Sequence, residues 1–460
     1  MQIIDNKQLD LSEGWIPKHL LELSEELAFA DKAFNDPRIL KPFLISDKQT
    51  GRPSTPAATY LRMMYLKFRY QISYELLVKE TADSYKWRKF CHIPHDGEVP
   101  DDKTLIKLTK RFGEKAVKDA HDAVVRQAVE AKILRGRKMR VDTTVNESNI
   151  HYPTDTGLLA DGVRVITRTV RKIKEVVKFK TRFRNRTRSV KRRILRMVKF
   201  LRKRSRRGYE NLRKSKEELQ KIARLVLAQA LAVFNEIRGR DVELRKESTA
   251  KMDILKLAGL QVELKHWLKL FRILIEQNRT VLGGNTHIPN RLVSIFDTGA
   301  RPIQKGKLFP RTEFGRKILV QEAEKGIVTD YQIHEGNPND QSLLDSALNK
   351  HEEIFGSKPK ELAADRGFYS PGQDEKLHAC GVEHVSIPVR GNKNSTRKRT
   401  EKSAWFRRLQ RWRAGGEAKI SLLKRKFGLR KSLLRGDAGT AIWVGWGVIV
   451  HNLVQMKTGP

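Results

Sequence analysis

Apolar residues recur at helical spacing through the first third of the chain, and short β-branched runs begin only near residue 139. The segment Pro17–Ala30 predicts a helix, followed by a polar, proline-bearing turn. From Pro56 a stronger pattern places Leu61, Met64, Tyr65 and Phe68 on one face. Ser73 is a predicted N-cap for the helix SYELLVKETAD, with Leu76 and Leu77 inward. Lys103–Phe112 and Glu114–Ala131 predict two more helices. Short helices with Arg and Lys outside fit a helix-turn-helix-type DNA-binding module, and equally a plain bundle with solvated basic faces.

Met139–Val145 is short and rich in Val and Thr, so a strand is predicted, with Asp142 in its middle. On a central strand that carboxylate needs a partner or a metal, whereas on an edge strand it can face water. His151, Asp155 and Asp161 follow closely, but the turn chemistry of Pro153, Thr154, Asp155 and Gly157 accounts for the stretch, and His151 is not read as a metal ligand. Residues 162–280 read as one long helical region. Ile194, Val198 and Leu201 give a narrow apolar stripe; Leu219, Ile222, Val226, Val233 and Ile237, then Leu257, Leu260, Leu264, Trp267 and Phe271, give wider ones. Packed antiparallel helices would bury these stripes.

From Arg291 the pattern predicts strands. RLVSIFDTGARPI reads as a strand and turn, and FGRKILVQEAEKGIVTDYQIH as two strands joined at Lys325–Gly326. A helix over Ser342–Phe355, a strand ending in Asp365, a helix over Pro371–Cys380 and a strand in VEHVSIPV follow. GNKNSTRKRTEKS reads as a polar linker, and RRLQRWRAGGEAKISLLKRKFG as helix.

Charge changes this picture most. The 460 residues hold 93 Lys plus Arg against 53 Asp plus Glu, a formal net charge of +40. Such an excess opposes compaction and suits a polyanion, nucleic acid before membrane. Between Arg164 and Lys216 only Glu175 and Glu210 are acidic. Arg182, Arg184, Arg186, Arg188, Lys191, Arg192 and Arg193 are therefore read as phosphate-backbone contacts, and the segment is expected to order on DNA. MQIIDNKQLDLSEGW has neither a basic n-region nor an apolar h-region, so no signal peptide is expected. The longest apolar run, Ala441–Val450, is too short to span a bilayer. Cys91 and Cys380 form no CxxC pair and read as thiols of a reducing compartment.

Three carboxylates stand out by context: Asp142 in the first strand, Asp365 at a later strand end, and Glu417 on the late helix with Arg413 and Lys424 on its face. Acids from two strands and a helix could meet at one sheet edge and hold two divalent cations, as phosphodiester chemistry requires. Asp297 reads as a turn residue in its DTG context, and Glu322 and Glu324 fit a strand and turn.

At VDTTVNESNIHYPTDTGLL, ADRGFYS and the R-x3-E-x6-K around Glu417, the sequence resembles the DDE transposases of bacterial insertion sequences, near the IS-five-like and ISNCY groups. KGKLFPRTEFG, GLRKSLLRGDAGTAIWVGWGVIVHNL and PSTPAATYLRMMYLKFRYQISYELL add to the likeness. Gln410 stands where related enzymes often carry Tyr. The resemblance implies an α/β RNase H-like core with a mixed five-stranded sheet over 136–161 and 286–460 and a helical N-terminal DNA-binding and dimerisation domain over 1–135; the basic helical insertion over 162–285, between the first and second acids, is a departure whose role the resemblance does not fix. It implies a triad of Asp142, Asp365 and Glu417 holding two Mg²⁺ or Mn²⁺ ions. It further implies binding to terminal inverted repeats, cleavage and strand transfer on double-stranded DNA, and a homodimer. The rival readings are a catalytically inactive DNA-binding derivative and an RNase H-like nuclease that does not join.

Overall fold

A computed structural model of the chain describes residues 16–44, 54–203, 205–239, 251–304 and 312–458. The described chain forms two compact units, one of residues 1–149 with 303–460 and one of residues 150–302.

The first unit opens with helices α1 (Lys18–Leu21), α2 (Glu25–Phe34), α3 (Pro37–Leu40), α4 (Ala57–Tyr70), α5 (Tyr74–Asp83), α6 (Tyr85–Phe90) and α7 (Asp102–Glu130). Ser73 caps α5 as predicted, its hydroxyl accepting from the Leu76 amide at 3.1 Å. Leu77 is buried, but Leu76 is exposed, because a ten-residue helix on a surface buries one stripe only. The two helices predicted after residue 102 run together as α7, bent where Gly113 takes a φ of 74°. On α4, Leu61, Met64, Tyr65 and Phe68 are buried, and so are Arg62 and Lys67, which were expected outside. Arg62 is neutralised by Asp31 at 2.7 Å, and Lys67 donates to the Ile72 carbonyl at 3.1 Å. These helices have no core of their own. They share one hydrophobic cluster with Ile318, Val320 and Tyr331 of the sheet and with Trp443 and Trp446 near the C-terminus.

The sheet holds six strands among the described residues, where five were expected: β1 (Lys138–Glu147), β2 (Arg301–Gln304), β3 (Thr312–Glu322), β4 (Val328–His334), β5 (Glu361–Ala364) and β6 (His384–Ser386). Their order is β2-β3-β1-β5-β6, with β4 also pairing β3. The strand predicted in RLVSIFDTGARPI lies at its end, in Arg301–Gln304, and Asp297 sits in the irregular stretch before it, where the Ala300 amide donates to its carbonyl. Lys325 and Gly326, both at positive φ, turn β3 into β4 as predicted. KGKLFPR, residues 305–311, and part of the proline-bearing turn, residues 45–53, lie outside the described residues.

β1 is a central strand, antiparallel to β3 and parallel to β5. Its two faces differ in character. Met139 and Val141 pack with Leu344 and Leu348 of α12 (Leu344–Phe355); the opposite face carries Arg140, Asp142 and Thr144, and only their β3 neighbours Val320 and Ile318 join the N-terminal cluster. The chain continues through α13 (Gln373–Ala379), α14 (Ser395–Lys402), α15 (Ala404–Lys426) and α16 (Gly436–Thr458). The predicted linker GNKNSTRKRTEKS thus contains a helix. Asn394 caps it, Arg397 pairs with Glu401 one turn along it, and the same guanidinium ties the helix to Asp374. No helix among the described residues is long and apolar enough to cross a membrane.

The second unit is helical: α8 (Asp155–Val176), α9 (Thr187–Lys203), α10 (Arg206–Gly239) and α11 (Lys251–Leu282) around their own core. The helical region therefore starts earlier than residue 162 and is interrupted over 177–186. Leu219, Ile222, Val226, Val233 and Ile237 are buried, as are Leu257, Leu260, Leu264 and Phe271. On α9 the buried stripe is Val190 and Met197 with Ile194 packed beside them; Val198 and Leu201 are exposed. The stripe predicted there is turned by one residue, because α9 has an apolar side chain at both 197 and 198, and packing against α10 selects the first.

Candidate active site

The parallel register of β1 and β5 ends with Val141 opposite Ala364. Asp142, still within β1 and opposite Val320 of β3, and Asp365, the first residue after β5, follow that pair, so the two carboxylates come from adjacent chain segments toward the same face of the sheet. Asp142 Oδ1 accepts from the Thr143 amide at 2.7 Å. Asp365 caps the short turn that follows it, accepting from the Gly367 amide at 2.5 Å.

Glu417 comes from α15. Ser403 caps this helix, and Gln410 anchors it across the strand ends, its amide donating to the Ser386 carbonyl at 2.7 Å and to the Ala364 carbonyl at 3.3 Å. Gln410 thus supplies a tie to the strand that bears Asp365. Arg413 reaches both Gln410 and Glu417, each at 3.2 Å, so the expected one-face spacing is realised. Glu417 is 65% exposed. Lys424 lies further along the helix, half-buried.

The residue that fixes the height of α15 over β1 escaped the sequence reading. Arg140, two residues before Asp142 and on its face, is buried. Its guanidinium donates to the Trp412 carbonyl at 2.5 Å and lies 5.0 Å from the centre of the Trp412 ring. The helix passes it at Gly415 and Gly416, where a Cβ on Gly416 would stand 3.2 Å from Arg140 Nε. Glu322, opposite Arg140 in the β1–β3 register, neutralises it at 2.5 Å. Burial pushes the Glu322 carboxyl upward against the pull of Arg140, with Lys419 lowering it and Asp142 raising it further. Burial likewise pushes the Lys419 ammonium downward. The paired glycines inside a helical pattern were the available signal of this close approach.

A fourth acid stands beside the pair. Asp340 Oδ1 accepts from Thr143 Oγ1 at 3.1 Å and pairs with Lys317 at 2.7 Å. Its other oxygen and that of Asp365 both crowd Gly367. Glu324 is a structural acid, accepting from the amides of Gly136, Arg137 and Lys138 at the start of β1. His151 faces Asp161 at 3.4 Å and is exposed.

The donor chemistry of Asp142, Asp365 and Glu417, all carboxylate oxygens, suits a hard divalent cation. Among the described residues, however, no three His, Cys, Asp or Glu side chains stand together as a ready metal cluster. Asp142 and Asp365 form the adjacent pair, and Glu417 is engaged by Arg413.

The basic residues of the second unit are mostly open. Arg182, Arg184, Arg188, Lys191 and Arg192 are exposed, while Arg186 is half-buried. Arg193 is held by Glu218 at 2.9 Å and by Ser189 Oγ at 2.6 Å. Of the two cysteines, Cys91 is buried and Cys380 exposed, and both are free thiols.

Residues 13–111 match a family described as a transposase domain (DUF772), and residues 292–453 match the transposase DDE domain. The second match includes Asp365 and Glu417; Asp142 lies between the two. An uncharacterized protein, ORF8 in the nfe locus of Rhizobium meliloti, is 26% identical over 131 residues, which is 27% of this chain and 63% of that protein. The match thus spans less than two thirds of that relative's length. No solved structure matches. A DDE domain implies an RNase H-like core, an enzyme that acts on DNA and, for the family in general, divalent metal ions. With a transposase domain ahead of it and the mixed sheet carrying Asp365 at a strand end, the chain belongs to the DDE-type transposases of insertion sequences.

Proposed function

We propose that the protein binds the terminal inverted repeats of its element and catalyses metal-dependent DNA strand cleavage and strand transfer, with Asp142, Asp365 and Glu417 as the catalytic acids. The observation that carries this reading is that Asp142, within β1, and Asp365, just past the end of the neighbouring β5, follow one paired position of the two strands, under a helix that bears Glu417. Divalent cations held by the three carboxylates, two Mg²⁺ or Mn²⁺ ions, would activate the attacking oxygen and stabilise the leaving one. The side chains do the positioning. Arg140 and Gln410 hold α15, the helix that bears Glu417, against β1 and β5. Arg413 is the natural receiver of a DNA phosphate, and on receiving it would release Glu417 toward Asp142 and Asp365. Lys424, on the same helix, would contact the backbone further along. Such a site lowers the barrier by orientation and electrostatics, with no covalent protein intermediate.

The N-terminal helices would grip the element's ends. Arg182, Arg184, Arg186, Arg188, Lys191, Arg192 and Arg193 would add sequence-independent affinity through phosphates. Two ends must be handled together, so the working form on DNA is a homodimer. Incubation of the protein with end-bearing DNA and Mg²⁺ or Mn²⁺, with cleaved and joined products resolved, tests the proposal. Both products are expected. Cleavage without joining would make the protein a nuclease, and binding without either product an inactive derivative.

A further inference from the structure

Beyond the strand ends that carry the acids lies a cavity of about 520 Å³ lined by Arg366, Val389, Arg390, Gly391 and Lys393. Its walls follow from the sheet. β5 and β6 run parallel, with Ala363 opposite Ser386, so Arg366 and Val389 are each the third residue past that pair. Arg366 directly follows Asp365. The cavity therefore continues the carboxyl edge of the parallel strands, where open α/β sheets place their ligands.

Its charge is not neutralised from within. Lys393 pairs with Glu401, but neither Arg366 nor Arg390 has an acidic partner among the described residues. A neighbouring cavity of about 300 Å³ shares Val389 and Lys393 but differs in this respect, because its Arg397 is taken up by Asp374 and Glu401. Two unpaired guanidiniums facing one cavity make a planar, bidentate anion site, and arginine forks match phosphate oxygens. Gly391, at a φ of 81° with nothing near the place of a Cβ, leaves the backbone side open to a close ligand. The volume lies in the ~300–1,000 Å³ range of small-ligand pockets, enough for one nucleotide.

We propose that Arg366 and Arg390 form a binding site for a DNA backbone phosphate, one nucleotide away from the bond cut at Asp142 and Asp365. This rests on the catalytic reading above only for the identity of the cut bond. The site takes a single-strand segment, because a cavity of this size admits a nucleotide and not a duplex. Its role is to hold the strand in register beside the carboxylates.

Two measurements test it. The first is binding of the 5′-phosphorylated dinucleotide pTpT to the full chain without metal, followed by ligand-observed NMR. The wild type is expected to bind, R366Q/R390Q at least tenfold more weakly, and R366K/R390K at an intermediate level that reports an intact cavity. No binding by the wild type, or equal binding by R366Q/R390Q, overturns the site. The second places single methylphosphonates along an end-bearing substrate. Neutralising one phosphate next to the cut should slow the wild type about tenfold and leave R366Q/R390Q no slower than it already is. Equal slowing of both proteins at every position overturns the placement beside the cut. If pTpT binds as expected but the wild type cuts no DNA, the catalytic reading falls and the phosphate site stands.

Discussion

Asp142 and Asp365 each stand one residue past the last paired position of two adjacent parallel strands, Val141 and Ala364. The β1–β5 register brings them together, Asp142 from within β1 and Asp365 from the cap of the turn that follows β5. Asp142→Asn, Asp365→Asn and Glu417→Gln are each expected to lower strand cleavage by at least about a thousandfold, since loss of a metal-holding carboxylate removes several kcal/mol of charge stabilisation. DNA binding, followed by gel shift, should stay near the wild-type level. Cleavage within tenfold of wild type by any one variant removes that residue from the set.

Arg140 and Glu322 form a buried ion pair beneath α15, so breaking it leaves a buried charge. Arg140→Met should destabilise the sheet-bearing unit by about 3–5 kcal/mol, and Arg140→Met/Glu322→Leu should recover most of that. Cleavage should not recover with stability, because Trp412 has lost the guanidinium that holds its carbonyl. Denaturant midpoints and cleavage rates on the same two proteins separate the effects. Full recovery of both would make the pair merely structural.

His451 on α16 is fully buried, with Nε2 3.2 Å from the Gly326 carbonyl, the Phe427 ring against it and the Lys419 charge nearby. Burial pushes its pKa down to about 4 from the ordinary 6.5. Below 6.5 the unfolded chain takes up a proton that the folded chain refuses, so stability present above 6.5 is lost as pH falls toward 4. The loss attributable to this group is on the order of 3 kcal/mol. His451→Gln should show a shallower fall in thermal midpoint between pH 6.5 and 4 than the wild type. Parallel curves would show that other groups govern the acid limb.

With a formal net charge of +40, DNA affinity should fall by on the order of a thousandfold between 50 and 200 mM salt. Arg182, Arg184, Arg188 and Arg192 are exposed, whereas Arg193 is held by Glu218. Neutralising the first four to Gln should weaken binding to terminal and unrelated DNA alike and lower the salt slope by up to about four. Selective loss on terminal DNA would mean that the insertion reads sequence, a role assigned above to the N-terminal helices. Arg193→Gln alone should change the slope little.

Local pattern was enough for much of this. The β-branched run around Asp142, the Lys325–Gly326 turn, the Ser73 cap and the one-face spacing of Arg413 and Glu417 are properties of neighbours in sequence, and they appear in the structure as read. The excess of positive charge is likewise a matter of composition. The family likeness was legible because its motifs are short and contiguous.

What required the tertiary structure is what depends on partners far along the chain. Periodicity cannot say that Arg62 and Lys67 lie buried, because Asp31 and the Ile72 carbonyl that satisfy them are on other segments. It cannot choose Met197 over Val198, since only the neighbouring helix distinguishes two apolar residues in a row. It cannot give Arg140 its place under Gly416, or set Asp365 beside Asp142, because strand pairing joins residues more than two hundred positions apart and no local preference encodes the register. The residue types at the candidate site were fixed by the sequence; their meeting was decided by the sheet.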